Sequence, residues 1–401
     1  MEKSINLKHG DKTMVRPSRK EILDFKDYGD RDFLMACEKF GPPMSVYVSD
    51  RYSEYKRLGF PDWKRTNLRG MSIPPMVSRF PRKSTDPYLK SMNWLSSDEV
   101  ELLDSLDFEG SDRKLLLLGD IFFDSGVILS IPDGSVMKKP FLVGRSDSVE
   151  QISNNLFIAG EHSEIQIVID SKASRNWFLQ NNRFLLKRGS KVDVLFVNHL
   201  GSEGYGFVNN FYRLEEGAVL KVFEVSPFSG TMVSYHLGLS AGKNSSMDFE
   251  PLFLAAGNTN LDLQFITRIM AENCNGQING TGVAIDNGSV IFRGNVDMRR
   301  GAKNSTGSEH SSVTILSDGA RADAIPCLLV DENEVNASHA ATIGSLDEER
   351  IFYLMSRGMT RERALKMIVR GTFEPVIERM ELLFPENCGG LRNALDRRVG
   401  R

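Results

Sequence analysis

Polar and apolar positions along this chain fall into three regimes. Up to about Leu106 the apolar residues have helical spacing. Ile22, Leu23, Phe25, Phe33, Leu34 and Cys37, broken by Gly29, fit two short helices between Lys20 and Phe40, and Ser97-Asp98-Glu99 opens another that runs through Leu106. From about Leu115 to Thr342 the period drops to two, in short runs such as Ile165–Ile169, Val192–Val197, Val219–Val225, Leu261–Phe265 and Val290–Val296. Most of these runs follow a polar turn: Arg188-Gly189-Ser190, Glu216-Gly217-Ala218, Ala241-Gly242-Lys243, Asn287-Gly288-Ser289. After Gly344 helical spacing returns. Ser345 and Glu348 have the spacing of a capping box, which predicts a helix from Leu346 to Arg357, stopped by Gly358. A second helix is predicted from Thr360 to Gly371. A third has Pro375 in its first turn and Pro385 after its end.

A stretch of strands this long is too much for one sandwich, and recurring strand and turn units point to a solenoid or a large barrel. A right-handed parallel β-helix fits best, because each coil buries its inward residues on the coils before and after it. The expected protein is mainly β, with N-terminal and C-terminal α-helical regions around that core. The expected divisions are 1–110, mainly helical with a proline-rich linker near 70–90; 111–344, the β-helix; and 345–401, three small helices and a tail. Ile351, Leu354 and Met355, then Leu365, Ile368 and Val369, then Val376, Ile377, Met380 and Leu383, form apolar stripes that need a platform. The last coil is expected to supply part of it and another protein the rest.

Composition narrows the function classes. The 401 residues carry a formal charge of −3, which argues against a dedicated nucleic-acid binder. The polar start lacks the apolar core of a secretory signal, and no apolar run approaches a bilayer's thickness, so a cytoplasmic protein with no membrane partner is expected. Cys37, Cys274, Cys327 and Cys388 are scattered, as suits reduced thiols rather than a disulfide framework or a permanent metal site. No permanently bound cofactor is expected. Residues 51–83 hold nine Lys or Arg among Tyr52, Tyr55, Phe60, Trp63 and Phe80, which reads as a helical segment with a solvated basic face and Trp63 in its core. Gly238-Leu-Ser-Ala-Gly-Lys-Asn244 is one residue short of a phosphate-binding loop, ends in Asn and opens no helix.

Two stretches carry a family resemblance. The run from Val335 to Met380, VNASHAATIGSLDEERIFYLMSRGMTRERALKMIVRGTFEPVIERM, resembles the C-terminal signature of the SufB/SufD family of iron–sulfur cluster assembly scaffolds, and Phe60–Leu68 is similar to that family's P-x-x-x-W-K-x-T segment. The resemblance implies a non-catalytic scaffold that pairs with a SufB-type subunit or with itself. It also implies that a SufC-type ABC ATPase docks on the C-terminal helices, with Phe352, Tyr353, Arg357, Gly358, Ile368 and Phe373 as candidate contacts. His339 falls where SufD-type members carry an S-H-x-A-T histidine, which implies that it faces the shared interface and takes part in a transient cluster, as a metal ligand. Strand parity supports a second reading. Val335, Ala337, His339, Ala341 and Ile343 share one mostly apolar face, as a buried core histidine would. Where SufB-type members have a cysteine after N-x-T, this chain has Gly307-Ser308-Glu309-His310, so it is SufD-like. Cys327 is a candidate substitute thiolate or a small core residue, and His310 and Glu309 are candidate further ligands. The alternative function is a β-helix enzyme acting on carbohydrate, with Asp318, Asp323 and Asp331 as its carboxylates.

Overall fold

The computed structural model describes residues 27–61, 63, 65–66, 68, 71–73, 86–144, 152–172, 177–345 and 348–399. Its centre is a parallel β-solenoid of two facing sheets, each coil giving one strand to each. The first sheet contains β1 (Leu89–Ser91), β2 (Val127–Ile131), β4 (Ile152–Ala159), β6 (Trp177–Leu186), β8 (Tyr205–Leu214), β10 (Thr231–Ser240), β12 (Asn260–Ile269), β14 (Ser289–Met298) and β16 (Arg321–Ala324), with β17 (Cys327–Val330) also beside β14. The second contains β3 (Phe141–Val143), β5 (Glu164–Lys172), β7 (Lys191–His199), β9 (Val219–Val225), β11 (Ser246–Ala255), β13 (Asn275–Ala284), β15 (Thr306–Ile315) and β18 (Asn336–Ser345).

The coils stack in register because one turn position repeats. His162, Gly189, Gly217, Asn244, Asn273 and Asn304 all hold a left-handed backbone. Each donates its N–H to a carbonyl of the next coil: Arg188, Glu216, Lys243, Glu272, Lys303 and Glu334 in turn. Gly and Asn tolerate this conformation best, and His162 occupies it with them. Between the sheets, inward residues such as Phe157, Phe184 and Tyr212 stack with ring centroids 4.5 and 4.6 Å apart. Beside them an amide column crosses the interior. Asn155 donates to Asn182 and Asn182 to Asn210, both at 2.8 Å, and the column reaches His236 and Glu224. Every coil therefore depends on its neighbours for both apolar burial and polar satisfaction.

The N-terminal helices cover the outer face of the first sheet. They are α1 (Asp30–Cys37), α2 (Pro42–Arg57), α3 (Ser97–Ser105) and α4 (Arg113–Ile121). Helix α4 corrects the expectation that strands begin near Leu115. Asp112 caps it by accepting from the N–H groups of Lys114 and Leu115, and every residue of α4 after Arg113 is buried. A helix apolar on nearly all sides reads like a strand run, and only its length and cap distinguish it. Under α4, the fully buried Arg183 and Asp120 pair at 2.7 Å. The first expected helix (near Ile22) and the linker prolines Pro74, Pro75 and Pro81 lie outside the described residues. Trp63 is half-buried against the same helices, and beside it Arg65 pairs with Asp323 at 3.4 Å while Thr66 donates to Asp262. The Trp-Lys segment is thus a strap across the outer face of the first sheet.

The C-terminal helices correct the expectation more strongly. They are α5 (Glu348–Ser356), α6 (Arg361–Leu383), α7 (Pro385–Cys388) and α8 (Leu391–Arg398). Gly371 and Pro375 lie inside the single helix α6 rather than between two helices. Its Val369, Phe373, Val376, Ile377 and Met380 are buried against Leu252, Leu254, Val283 and Ile285 on the outer face of the second sheet. Each such side chain is worth about 1.5–3 kcal/mol, so together they outweigh an internal Gly (about 1) and Pro (about 3). Arg379 of α6 donates to the buried Glu250 of β11 at 2.6 Å. The platform is therefore the side of the solenoid, not its last coil. The expected helix start at Leu346 falls on residues not described.

Candidate functional site at the open end of the solenoid

Among the described residues the last rung, β18, pairs with β15 alone. Asn336 N–H donates to Ser305 O at 3.0 Å, and alternate residues of a parallel strand turn their N–H groups to opposite sides. The amides of Ala337, His339 and Ala341 therefore face the unpaired edge. His339 reconciles its two readings. Its parity is inward, like that of Val335 and Ala337, which pack against the interior cluster. Yet the residue is exposed, since among the described residues no coil lies beyond it.

In register with His339 is Glu309 on β15. On that strand Gly307, Glu309, Ser311 and Val313 are buried, while Ser308, His310 and Ser312 alternate with them on the more exposed face. Glu309 is 2% exposed, with Ser311 and the Ala340 amide as its hydrogen-bonding neighbours. Its side chain crosses the interior to Gly294 of the facing sheet, where a Cβ would sit 2.3 Å from Glu309 Cγ and 2.9 Å from Oε1. Burial pushes the Glu309 carboxyl above its ordinary value, with the His339 and His310 imidazoles among the opposing influences.

The other candidate ligands do not converge on this point. His310 is exposed on the opposite face of β15, one residue out of phase. Cys327 pairs in register with Asn295, whereas the interior residues of β14 are Val290, Phe292, Val296 and Met298, so Cys327 lies on the outer side of the first sheet. Among the described residues no three His, Cys, Asp or Glu side chains are grouped to hold a metal ion. No disulfide joins the four cysteines, and burial pushes the Cys388 thiol up to about 11. Glu309, named with His310 as a candidate further ligand, lies at an inward strand position, whereas His310 does not.

The carboxylates of the carbohydrate alternative are also apart. Asp323 pairs with Arg65, Asp331 pairs with Arg299 at 3.2 Å, and Asp318 is exposed in a turn. The candidate docking residues divide. Phe352 (75% exposed), Tyr353 (56%), Arg357 and Gly358 lie on an open surface with Met355 and Met367, and the Arg357 guanidinium sits 5.1 Å from the Tyr353 ring centroid. Ile368 is half-buried. Phe373 is fully buried under α6 and has no surface to offer, a correction that follows from the unbroken helix. Elsewhere, a cavity of about 400 Å³ lies between the second sheet and α7–α8, lined by Leu195, Val225, Phe228, Cys388 and Leu391.

A two-sheet parallel solenoid, clothed by helices on both outer faces, defines a class: β-solenoid proteins flanked by N-terminal and C-terminal helices. Within that class the chain belongs to the family of SUF-system FeS cluster assembly proteins with a SufBD core domain, whose family model matches residues 141–372. It is 27% identical over 289 residues to the iron–sulfur cluster assembly protein SufD of Bacillus subtilis, covering 68% of this chain and 64% of that protein. It is 22% identical over 279 residues to SufB of the same organism, covering 68% and 60%. A SufBD family protein of Pyrococcus horikoshii is 23% identical over 338 residues, covering 80% and 70%. The match spans less than two thirds of either Bacillus relative. Among the described residues no helix is long and apolar enough to cross a membrane.

Proposed function

We propose that this chain is a non-catalytic, cytoplasmic scaffold subunit of SUF iron–sulfur cluster assembly that pairs edge to edge through β18 with a SufB-type subunit or a second copy. The observation that carries the reading is the ten-residue β18, whose outward amides lack strand partners and which presents His339. Folded proteins normally blunt or cover such an edge, and a strand from another chain is its natural cover. The nascent cluster is cargo at that shared boundary, and His339 contributes one imidazole to it.

We further propose that a SufC-type ABC ATPase docks on the exposed surface of α5 and the start of α6. Phe352, Tyr353, Met355 and Met367 form the apolar centre there, with Arg357 beside it; aromatic and Arg side chains of this kind anchor interfaces. ATP hydrolysis then belongs to the partner, in keeping with the degenerate loop at Gly238–Asn244. Co-expression with both partners tests the reading. Wild type is expected to co-purify with the ATPase, and Phe352→Ala/Tyr353→Ala is expected to weaken that association at least tenfold with an unchanged melting temperature. A wild-type chain that stays monomeric beside both partners overturns it.

A further inference from the structure

We infer that α6 is hinged at the turn 371–375, and that α5 together with residues 361–370 of α6 forms a lever that swings relative to the solenoid. The purpose of the lever rests on the scaffold reading above; the hinge itself does not. In an α-helix each N–H bonds the carbonyl four residues earlier, and proline has no N–H to give. Pro375 lies inside α6, so the carbonyl left without that bond belongs to Gly371, the residue type with the freest backbone. One residue on, the Thr372 hydroxyl donates back to Ile368 O at 3.0 Å, a bond that bends helices. Three causes of helix bending thus share one turn. Space does not demand the glycine, because a Cβ at Gly371 would meet nothing within 4 Å.

The two sides of this turn are fastened differently. Beyond it, Val376, Ile377 and Met380 are buried against the second sheet, Arg379 donates to Glu250 of β11, and Arg392 of α8 donates to Glu374 and to Glu381, both at 3.0 Å. Before it, among the described residues, α6 gives the same apolar cluster only the buried Val369 and the half-buried Leu365, and a surface ion pair joins Arg370 to Asp396. Helix α5 travels with this half. It packs on α6, and its Glu348 pairs with Arg361 at 2.9 Å; Ile351 and Ala364 are buried, but outside the cluster that fastens α6 to the sheet. The exposed Phe352, Tyr353, Met355 and Met367 all lie on the lever side. A hinge needs only a few residues that absorb the backbone change. This one lets a docked ATPase change shape through its cycle while the far half of α6 stays on the solenoid.

The test is amide hydrogen exchange of the full chain, compared with Gly371→Ala/Pro375→Ala, which restores the missing N–H and removes the free glycine without a clash. In wild type the amides of 361–370 are expected to exchange at least tenfold faster than those of 376–383, with a step at 371–375 rather than the gradient of a fraying helix end. In the double variant the two halves are expected to agree within threefold, with a melting temperature at or above wild type. No step in wild type, or a step that the double variant keeps, overturns the hinge. A second arm adds the SufC-type ATPase. The double variant is expected to bind it within twofold of wild type and to slow ATP turnover in the complex at least fivefold; turnover at the wild-type rate overturns the lever. A wild-type chain that does not bind the ATPase removes the scaffold reading instead, and the exchange step still decides the hinge.

Discussion

Two regions of the solenoid are built on the same backbone and finished in opposite ways. Beside the early coils, α4 lies on the outer face of the first sheet, and the polar groups beneath it are paired: Arg183 with Asp120, and Asn181 with Asp120 and the carbonyl of Leu116. At the last coil, among the described residues, β18 has a strand neighbour on one side only. The end of a stack exposes a strand edge that its flanks do not. Covering a flank with helices of the same chain while the last rung stays uncovered makes the first a source of stability and the second a place to act.

The sharpest way to break this contrast is at the covered flank. Asp120→Ala strands the buried Arg183 guanidinium and is expected to cost about 3–5 kcal/mol, measured by denaturant unfolding, with partner binding unaffected at temperatures where the variant is folded. At the open end, Ala341→Pro removes an amide that points away from β15. It is expected to weaken subunit pairing at least tenfold, about 1.4 kcal/mol, in analytical ultracentrifugation, while unfolding free energy changes little. Equal damage to stability from the two substitutions would erase the distinction. The smallest effect concerns Glu309. A carboxyl raised by burial holds its proton more tightly in the folded state, so its contribution to stability is full below its ordinary value and is lost as pH rises through the folded one. Glu309→Gln is therefore expected to match wild type in acid and to melt higher, by about 1 kcal/mol, near neutral pH. A variant less stable than wild type at pH 7 would mean that the bonds from Ser311 and the Ala340 amide outweigh the cost of burial.

The strands were legible because alternation survives in each of them. Ile165–Ile169 lies in β5 and Val192–Val197 in β7, with the expected faces inward. The coil period was not, because the left-handed turn position is filled by His162, by Gly189 and by Asn244 alike, so a conserved geometry leaves no repeated letter. Gly371 and Pro375 misled for a related reason: local breakers are visible in a sequence, whereas the apolar surface of the second sheet that holds α6 straight is assembled from residues a hundred positions away. At the candidate site, the parity of His339 could be read and its exposure could not, since exposure depends on which rung is last. That Glu309, and not His310, shares the inward face with His339 became visible only when β15 and β18 were set side by side.

The strap formed by Trp63, Arg65 and Thr66 bears on how the molecule is made. Its anchors, Asp262 and Asp323, leave the ribosome some two hundred residues after Thr66 and more than two hundred and fifty after Arg65. The strap must therefore wait, unlatched, until Asp262 and Asp323 have been synthesised. The latch closes only on a chain whose later coils have already been laid down, so a prematurely terminated product never acquires it.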